Sequence, residues 1–168
     1  PLSLLRLRPH ERLRRTRGHR GSLLLRCGAL SSLSPSRFYP GAQWVLTFPF
    51  AWRRRLAQDG ALLGSLTRIF VESVQALYAE RAAARGAHGA KTGAVTVVQR
   101  TSSDLRLNPH LHSVLLDGTY HEDGAELVWQ QLGHLKTGEV GEVLERTVRR
   151  IERHLRRRGA LQPNDTDE

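Results

Sequence analysis

Apolar residues form several short runs along the chain, and three of them are typical of β-strands. Residues 44–48 have the sequence WVLTF and end at Pro49, which has no N–H to donate to a strand ladder. Residues 94–99 are rich in β-branched side chains, and residues 110–116 form an apolar run that contains two histidines. These runs predict a β-sheet.

Two longer segments, residues 62–85 and 139–158, show helical periodicity. Their apolar side chains recur at spacings of three and four, which gives each segment one apolar face. Residues 51–58 predict a shorter helix before Gly60, and Gly159 is expected to end the last helix.

A hairpin is predicted after the strand at 110–116. Asp117-Gly118 is typical of a hairpin turn, so residues 119–121 are expected to return beside that strand. Residues 125–129 are a weaker candidate for a further strand. The element order predicts an α+β fold with helices on one face of a small antiparallel sheet. This is close to the split β-α-β, or ferredoxin-like, arrangement.

Charge divides the 168 residues into unequal parts. Residues 1–40 hold nine arginines and one acidic residue, which accounts for +8 of the net charge of +10. We therefore expect an Arg-rich irregular or disordered segment over 1–40, a folded core over 41–160 and an acidic tail over 161–168. The first segment has three interpretations: a basic arm that orders on nucleic acid, a transit-peptide-like leader, or a frameshifted start without a native role.

Composition narrows the class of protein. A pI near 11.2 favours a polyanionic partner, above all nucleic acid. The single cysteine, Cys27, excludes a disulfide framework and a multi-cysteine zinc module. No apolar run reaches the roughly 18–20 residues of a membrane-spanning helix, so no membrane partner is expected.

The candidate chemistry lies in the strand at 110–116. His110 and His112 are two residues apart, so in a strand their side chains project from the same face. Two imidazoles at this spacing can converge on one metal ion, with a third ligand from another element. A His-x-His pair is a weak signal alone, but histidines in an otherwise apolar strand usually have a specific role.

Longer motifs around this pair resemble a known family. Residues 97–118 (VVQRTSSDLRLNPHLHSVLLDG) look like the core of the two-tyrosine rolling-circle insertion-sequence transposases of the HUH class. Residues 43–50, 53–57, 69–71 and 91–96 are similar to other segments of that family, so the resemblance extends from about residue 43 to residue 158.

The resemblance implies DNA transposition by single-strand nicking and strand transfer. In this family the histidine pair holds a divalent metal, Mg²⁺ or Mn²⁺, and a tyrosine attacks the phosphate and becomes linked to DNA. Carried over, His110 and His112 are metal ligands, and the partner is single-stranded DNA at transposon ends. A bacterial, cytoplasmic and nucleoid-associated location follows from the same resemblance.

The chain also departs from the family. None of its tyrosines, Tyr39, Tyr78 and Tyr120, stands at the position of the nucleophile, and the family's N-terminal cysteine cluster is reduced to Cys27. We therefore expect a truncated transposase with a metal site, no catalytic tyrosine, and no activity when alone.

Further site residues are assigned from the strand ends. Gln99 is the first candidate for the third metal ligand, with Asp104, His121 and His88 as alternatives. Candidate DNA contacts on bordering loops are Lys91, Arg100, Arg106 and Asn108. Two arginine clusters, Arg53 to Arg55 and the end of the last helix, are further candidates, although the latter also suits a helix C-terminus.

Two other function classes stay open at this point. The chain could be a metal-dependent phosphoesterase in which the histidine pair activates water. It could instead be a non-catalytic basic module that binds nucleic acid. Metal dependence would separate the transposase and the phosphoesterase from the non-catalytic binding module. A covalent protein–DNA adduct would separate the transposase from the phosphoesterase.

Overall fold

The computed structural model describes residues 24–29 and 41–160. Its elements follow one another along the chain as β1 (Leu24–Ala29), β2 (Gly41–Thr47), α1 (Phe50–Gln58), α2 (Gly60–Ala83), β3 (Ala94–Thr101), β4 (Leu107–Leu116), β5 (Gly118–Asp123), β6 (Glu126–Gln131) and α3 (Thr137–Arg157). None of the described helices is long and apolar enough to cross a membrane.

Four strands form one antiparallel sheet in the order β1-β2-β4-β3. Helices α1 and α2 connect β2 to β3, and β4 lies between these two strands. This is a split β-α-β arrangement, and the predicted α+β fold is confirmed.

One face of the sheet carries the core. Alternate residues of β2 and β4 are fully buried on this face, among them Trp44, Leu46 and Leu111. They join the apolar faces of α2 and α3 in a single cluster. Since burying such a side chain stabilises a fold by about 1.5–3 kcal/mol, this face determines which way each strand is turned.

The other face of the sheet is open among the described residues. Val95 and Val97 of β3 are 70% and 59% exposed, the intervening residues of β2 are half-buried, and those of β4 are half-buried or, at Val114, exposed. The expectation that helices cover one face is therefore confirmed, and the histidines lie on the opposite face.

The ends of the two long helices follow local rules. The Asp59 side chain accepts a hydrogen bond from the Leu62 N–H at 2.8 Å and so caps α2. At the end of α3, Gly159 has a φ of 64°, and the Ala160 N–H donates to the Leu155 carbonyl at 2.9 Å. This Schellman arrangement confirms the predicted glycine stop.

The predicted hairpin at Asp117-Gly118 is wrong. Strand β5 pairs with β6 instead of returning along β4, and the chain reverses at Gly124, where φ is 63°. The reason is topological: β4 is already hydrogen-bonded to β2 on one side and to β3 on the other. Since a strand has only two edges, no partner position remains for β5.

Strand β1 was not predicted, because its segment shows no sustained periodicity. It pairs with the edge of β2, with Cys27 opposite Trp44. The rest of residues 1–40, which includes Tyr39, and the tail at 161–168 lie outside the described residues.

Candidate metal centre and nucleic-acid interface

The histidine pair stands on the open face in the middle of the sheet. His110 is paired with Thr47 on β2 and Gln99 on β3, and His112 is paired with Val45 and Val97. The two ring centroids are 4.8 Å apart, with the planes inclined at 63°. The side-chain direction predicted from the sequence is thus what the structure shows.

Hydrogen bonds orient His110. Its Nδ1 lies 2.6 Å from the Asn108 carbonyl oxygen, which can only accept, so Nδ1 carries the proton and donates. The hydrogen bond thus leaves Nε2 as the ring nitrogen that can offer a lone pair to a metal. A backbone carbonyl on the second ring nitrogen is a common way to fix a histidine for metal binding.

His112 lies in a drier environment. Its Nδ1 is 3.2 Å from Nε2 of Gln43, while its own Nε2 is buried and has no hydrogen-bond partner among the described residues. Burial lowers the pKa of His112, and the neighbouring His110 lowers it further. The amide nitrogen of Gln43 can only donate, so in this orientation Nδ1 of His112 accepts and the ring proton lies on Nε2. Turning the Gln43 amide so that its oxygen faces Nδ1 moves the proton to Nδ1 and leaves the lone pair of Nε2 for a cation.

The third ligand is less well defined. Gln99 is directly opposite His110, and its amide nitrogen donates to the Thr101 carbonyl at 3.2 Å. Its position opposite His110 puts the Gln99 carboxamide on the same face as the pair. Gln99 thus stays a prediction.

The alternatives to Gln99 are not brought to the pair. No group of three His, Cys, Asp or Glu side chains that could hold a metal occurs in the described part of the chain. Asp104 instead pairs with Arg106 at 3.2 Å, and the Ser102 hydroxyl hydrogen bond lowers its pKa. His121 belongs to the β5–β6 hairpin, and His88 to the loop before β3.

A bulge shapes the end of the sheet beside His110. The register between β3 and β4 shifts between Gln99 and Thr101, so β4 has one extra residue there. Pro109 lies in this stretch, and a bulge accommodates it because proline cannot donate to a ladder. The irregularity leaves the buried Oδ1 of Asn108 without a partner among the described residues.

Three of the four predicted DNA contacts border this end of the sheet. Arg100 lies at the bulge, Arg106 is exposed in the loop before β4, and Asn108 precedes His110 on the same face. Lys91 does not lie at this end of the sheet. It forms an isolated antiparallel β-bridge with Tyr120 near the other end of β3. That bridge ties the hairpin to the sheet.

The described tyrosines do not stand at the histidine pair. Tyr78 is 1% exposed in the core, and Tyr120 packs against Trp129, with ring centroids 4.8 Å apart. Tyr78 is thus a core residue and Tyr120 a strand residue.

Two arginine clusters differ in their partners. In the cluster near the end of α3, Arg150 forms an ion pair with Glu72 of α2, and the preceding Arg146 forms one with Glu80, so these arginines join two helices. In α1, Arg53 to Arg55 form no ion pair with a described residue. Sequence reasoning also missed Gln43, because its contact with His112 depends on strand pairing.

Comparison with known families supports the same function class. Residues 93–167 match a family model described as "Putative transposase". Neither the curated proteins nor the solved structures gave a match. The matched segment contains β3, β4 and the histidine pair, so this part of the chain is similar to a transposase family.

Proposed function

We propose that this chain is part of a DNA transposase whose histidine pair holds a divalent metal ion for single-strand nicking and strand transfer. The observation that carries the proposal is the pair itself. Two imidazole rings lie with their centroids 4.8 Å apart on an open sheet face, within the segment that resembles transposases.

The residues present fit a metal ion. With the Gln43 amide oxygen turned toward Nδ1 of His112, the buried Nε2 of His112 and Nε2 of His110 would be two nitrogen ligands, and Gln99, paired with His110, would offer an amide oxygen. Such an incomplete set leaves coordination positions for water and for phosphate oxygens. When bound, Mg²⁺ or Mn²⁺ would neutralise charge on the scissile phosphate and stabilise the departing oxygen.

The surrounding side chains position DNA. Arg100 and Arg106 are cationic and exposed at the end of the sheet that holds His110, where they would contact DNA phosphates, Arg106 after release from its exposed ion pair with Asp104. Asn108 supplies an amide at the same edge. Phosphoryl transfer depends mainly on such positioning and charge neutralisation.

The described residues do not supply the nucleophile. Tyr78 is in the core and Tyr120 is tied to Lys91, so neither reaches the histidine pair. We therefore expect the described part of the chain to bind metal and single-stranded DNA without forming a covalent phosphotyrosine link through Tyr78 or Tyr120.

Calorimetric titration of the full chain with Mn²⁺ tests the metal site. We expect micromolar binding that is lost in the double variant His110→Ala, His112→Ala. A matched control, His88→Ala with His134→Ala, removes two exposed histidines away from the pair and should bind like the unmodified chain. Near-ultraviolet circular dichroism shows whether each variant is folded.

A DNA titration tests the substrate. Fluorescence anisotropy should show tighter binding of a single-stranded oligonucleotide than of its duplex, with a Mn²⁺-dependent increment that the double variant lacks. The metal site would be refuted if the folded, unmodified chain did not bind Mn²⁺. It would also be refuted if the folded double variant bound Mn²⁺ as tightly as the unmodified chain. Metal-dependent hydrolysis of the oligonucleotide to free ends would instead identify a phosphoesterase and overturn the proposal.

A further inference from the structure

A short basic helix begins at the end of the sheet that holds His110. Thr47, the last residue of β2, is paired with His110, and α1 starts three residues later at Phe50. Helix α1 packs against the core through Leu56, which is fully buried. The first residue of α1 therefore follows directly from the end of the sheet that bears His110, and the side of the helix away from Leu56 faces solvent.

That outer surface presents an aromatic ring to solvent. Phe50 is 83% exposed, and the guanidinium carbon of Arg53 lies 5.5 Å from its ring centroid. Two positions further along, the guanidinium carbon of Arg55 is 5.3 Å from the ring centroid of the half-buried Trp52. Each cation–π pair holds a guanidinium beside an aromatic ring.

The charge on α1 is uncompensated. The helix contains three arginines and no acidic residue, and none of them forms an ion pair with a described residue. The nearest acidic residue along the chain, Asp59, accepts a hydrogen bond from the Leu62 N–H. The buried Nε of Arg53 also lacks an acceptor in the described part of the chain.

An exposed ring among unpaired guanidinium groups matches one class of ligand. Single-stranded nucleic acids offer an unstacked base for the ring and a phosphate for each arginine, whereas a duplex hides its base faces. We propose that Phe50 and Arg53 form a base-stacking platform for single-stranded DNA, with Arg54 and Arg55 on its phosphates. This assignment rests on the proposed function and adds a contact for the strand that enters at the histidine pair.

Anisotropy titrations of the full chain in EDTA test the platform without the metal site. Phe50→Ala should weaken binding of a 20-nucleotide oligothymidylate by about fivefold or more. Fivefold corresponds to the lower end of the range for loss of one base–aromatic stack. Phe50→Trp should retain the affinity of the unmodified chain. Leu127→Ala, which truncates an exposed apolar residue on β6, is the matched control and should change binding less than twofold.

An abasic oligonucleotide separates stacking from charge. On this probe Phe50→Ala should bind like the unmodified chain, while Arg54→Gln should lower the salt dependence on both probes by about 0.7 per lost phosphate contact. The platform would be overturned if Phe50→Ala bound oligothymidylate as tightly as the unmodified chain does. It would also be overturned if Phe50→Ala lost as much affinity for the abasic probe as for oligothymidylate. Either result would leave the proposed function standing. Absence of single-strand binding by the unmodified chain would overturn both the platform and the proposed function.

Discussion

The hydrogen bond between Gln43 and His112 gives the sharpest test of the metal site. For His112 to offer Nε2 to a metal, its proton must lie on Nδ1, and the Gln43 amide must then present its oxygen to that N–H. Gln43 is therefore expected to fix the ring orientation and tautomer that bind metal, as second ring-nitrogen partners commonly do.

Two substitutions should change metal affinity in opposite directions. Gln43→Leu removes the hydrogen bond, whereas Gln43→Glu provides only acceptors, which favours the proton on Nδ1 and adds negative charge near the cation. A part-buried neutral hydrogen bond contributes about 1 kcal/mol, or about fivefold in Kd, and loss of such partners costs about 10- to 100-fold in metal affinity. The separation of 3.2 Å is long, so we expect about five- to tenfold weaker Mn²⁺ binding for Gln43→Leu.

The assay combines calorimetry with nitrogen NMR. Mn²⁺ titration gives the Kd of each variant, and the imidazole ¹⁵N shifts of His112 in the metal-free chain give its tautomer. Gln43→Glu should bind at least as tightly as the unmodified chain and show the proton on Nδ1. Gln75→Leu removes another part-buried amide, bonded to the Thr92 carbonyl at 3.4 Å, and serves as the control. If both Gln43 variants bind Mn²⁺ within twofold of the unmodified chain, Gln43 does not position His112.

Three further predictions concern stability. In Gly118→Ala the new Cβ would lie 2.3 Å from Cζ2 of Trp129 and 2.5 Å from a backbone oxygen, so chemical denaturation should show a loss of about 1–3 kcal/mol. Gly64→Ala, which meets open space in α2, should instead stabilise by about 0.5–1 kcal/mol, and equal effects would contradict this packing. Leu111→Ala should cost about 2–5 kcal/mol, whereas Val97→Ala on the open face should stay within about 0.5 kcal/mol; similar losses would mean that both faces are covered. Burial raises the pKa of Asp117, so the folded state holds this proton more tightly than the unfolded chain. Stability should therefore fall as the pH rises from 3.8 through the raised value, and thermal melts of Asp117→Asn should lose that part of the pH dependence; an unchanged profile would contradict it.

Local sequence determined most elements and the direction of the histidines. Side chains two apart on a strand share a face whatever the strand pairs with, so His110 and His112 could be placed together from spacing alone. The helical periods of α2 and α3 were equally informative, because burial of one apolar face suffices to define such helices. The glycine stop at Gly159 depends only on a left-handed φ, which is also a local property.

Tertiary structure decided what depends on pairing between distant segments. The hairpin prediction at Asp117-Gly118 was wrong because both edges of β4 are taken by β2 and β3, which a local turn signal does not reveal. Strand β1 has little pattern of its own and is defined by the edge of β2. The contact of Gln43 with His112 joins residues 69 positions apart, and the ring of Phe50 is exposed only because α1 buries its other side. Residue spacing determines which side chains share a face of one strand or helix. Contacts between residues of different elements depend on which strands pair in the sheet and where the helices pack.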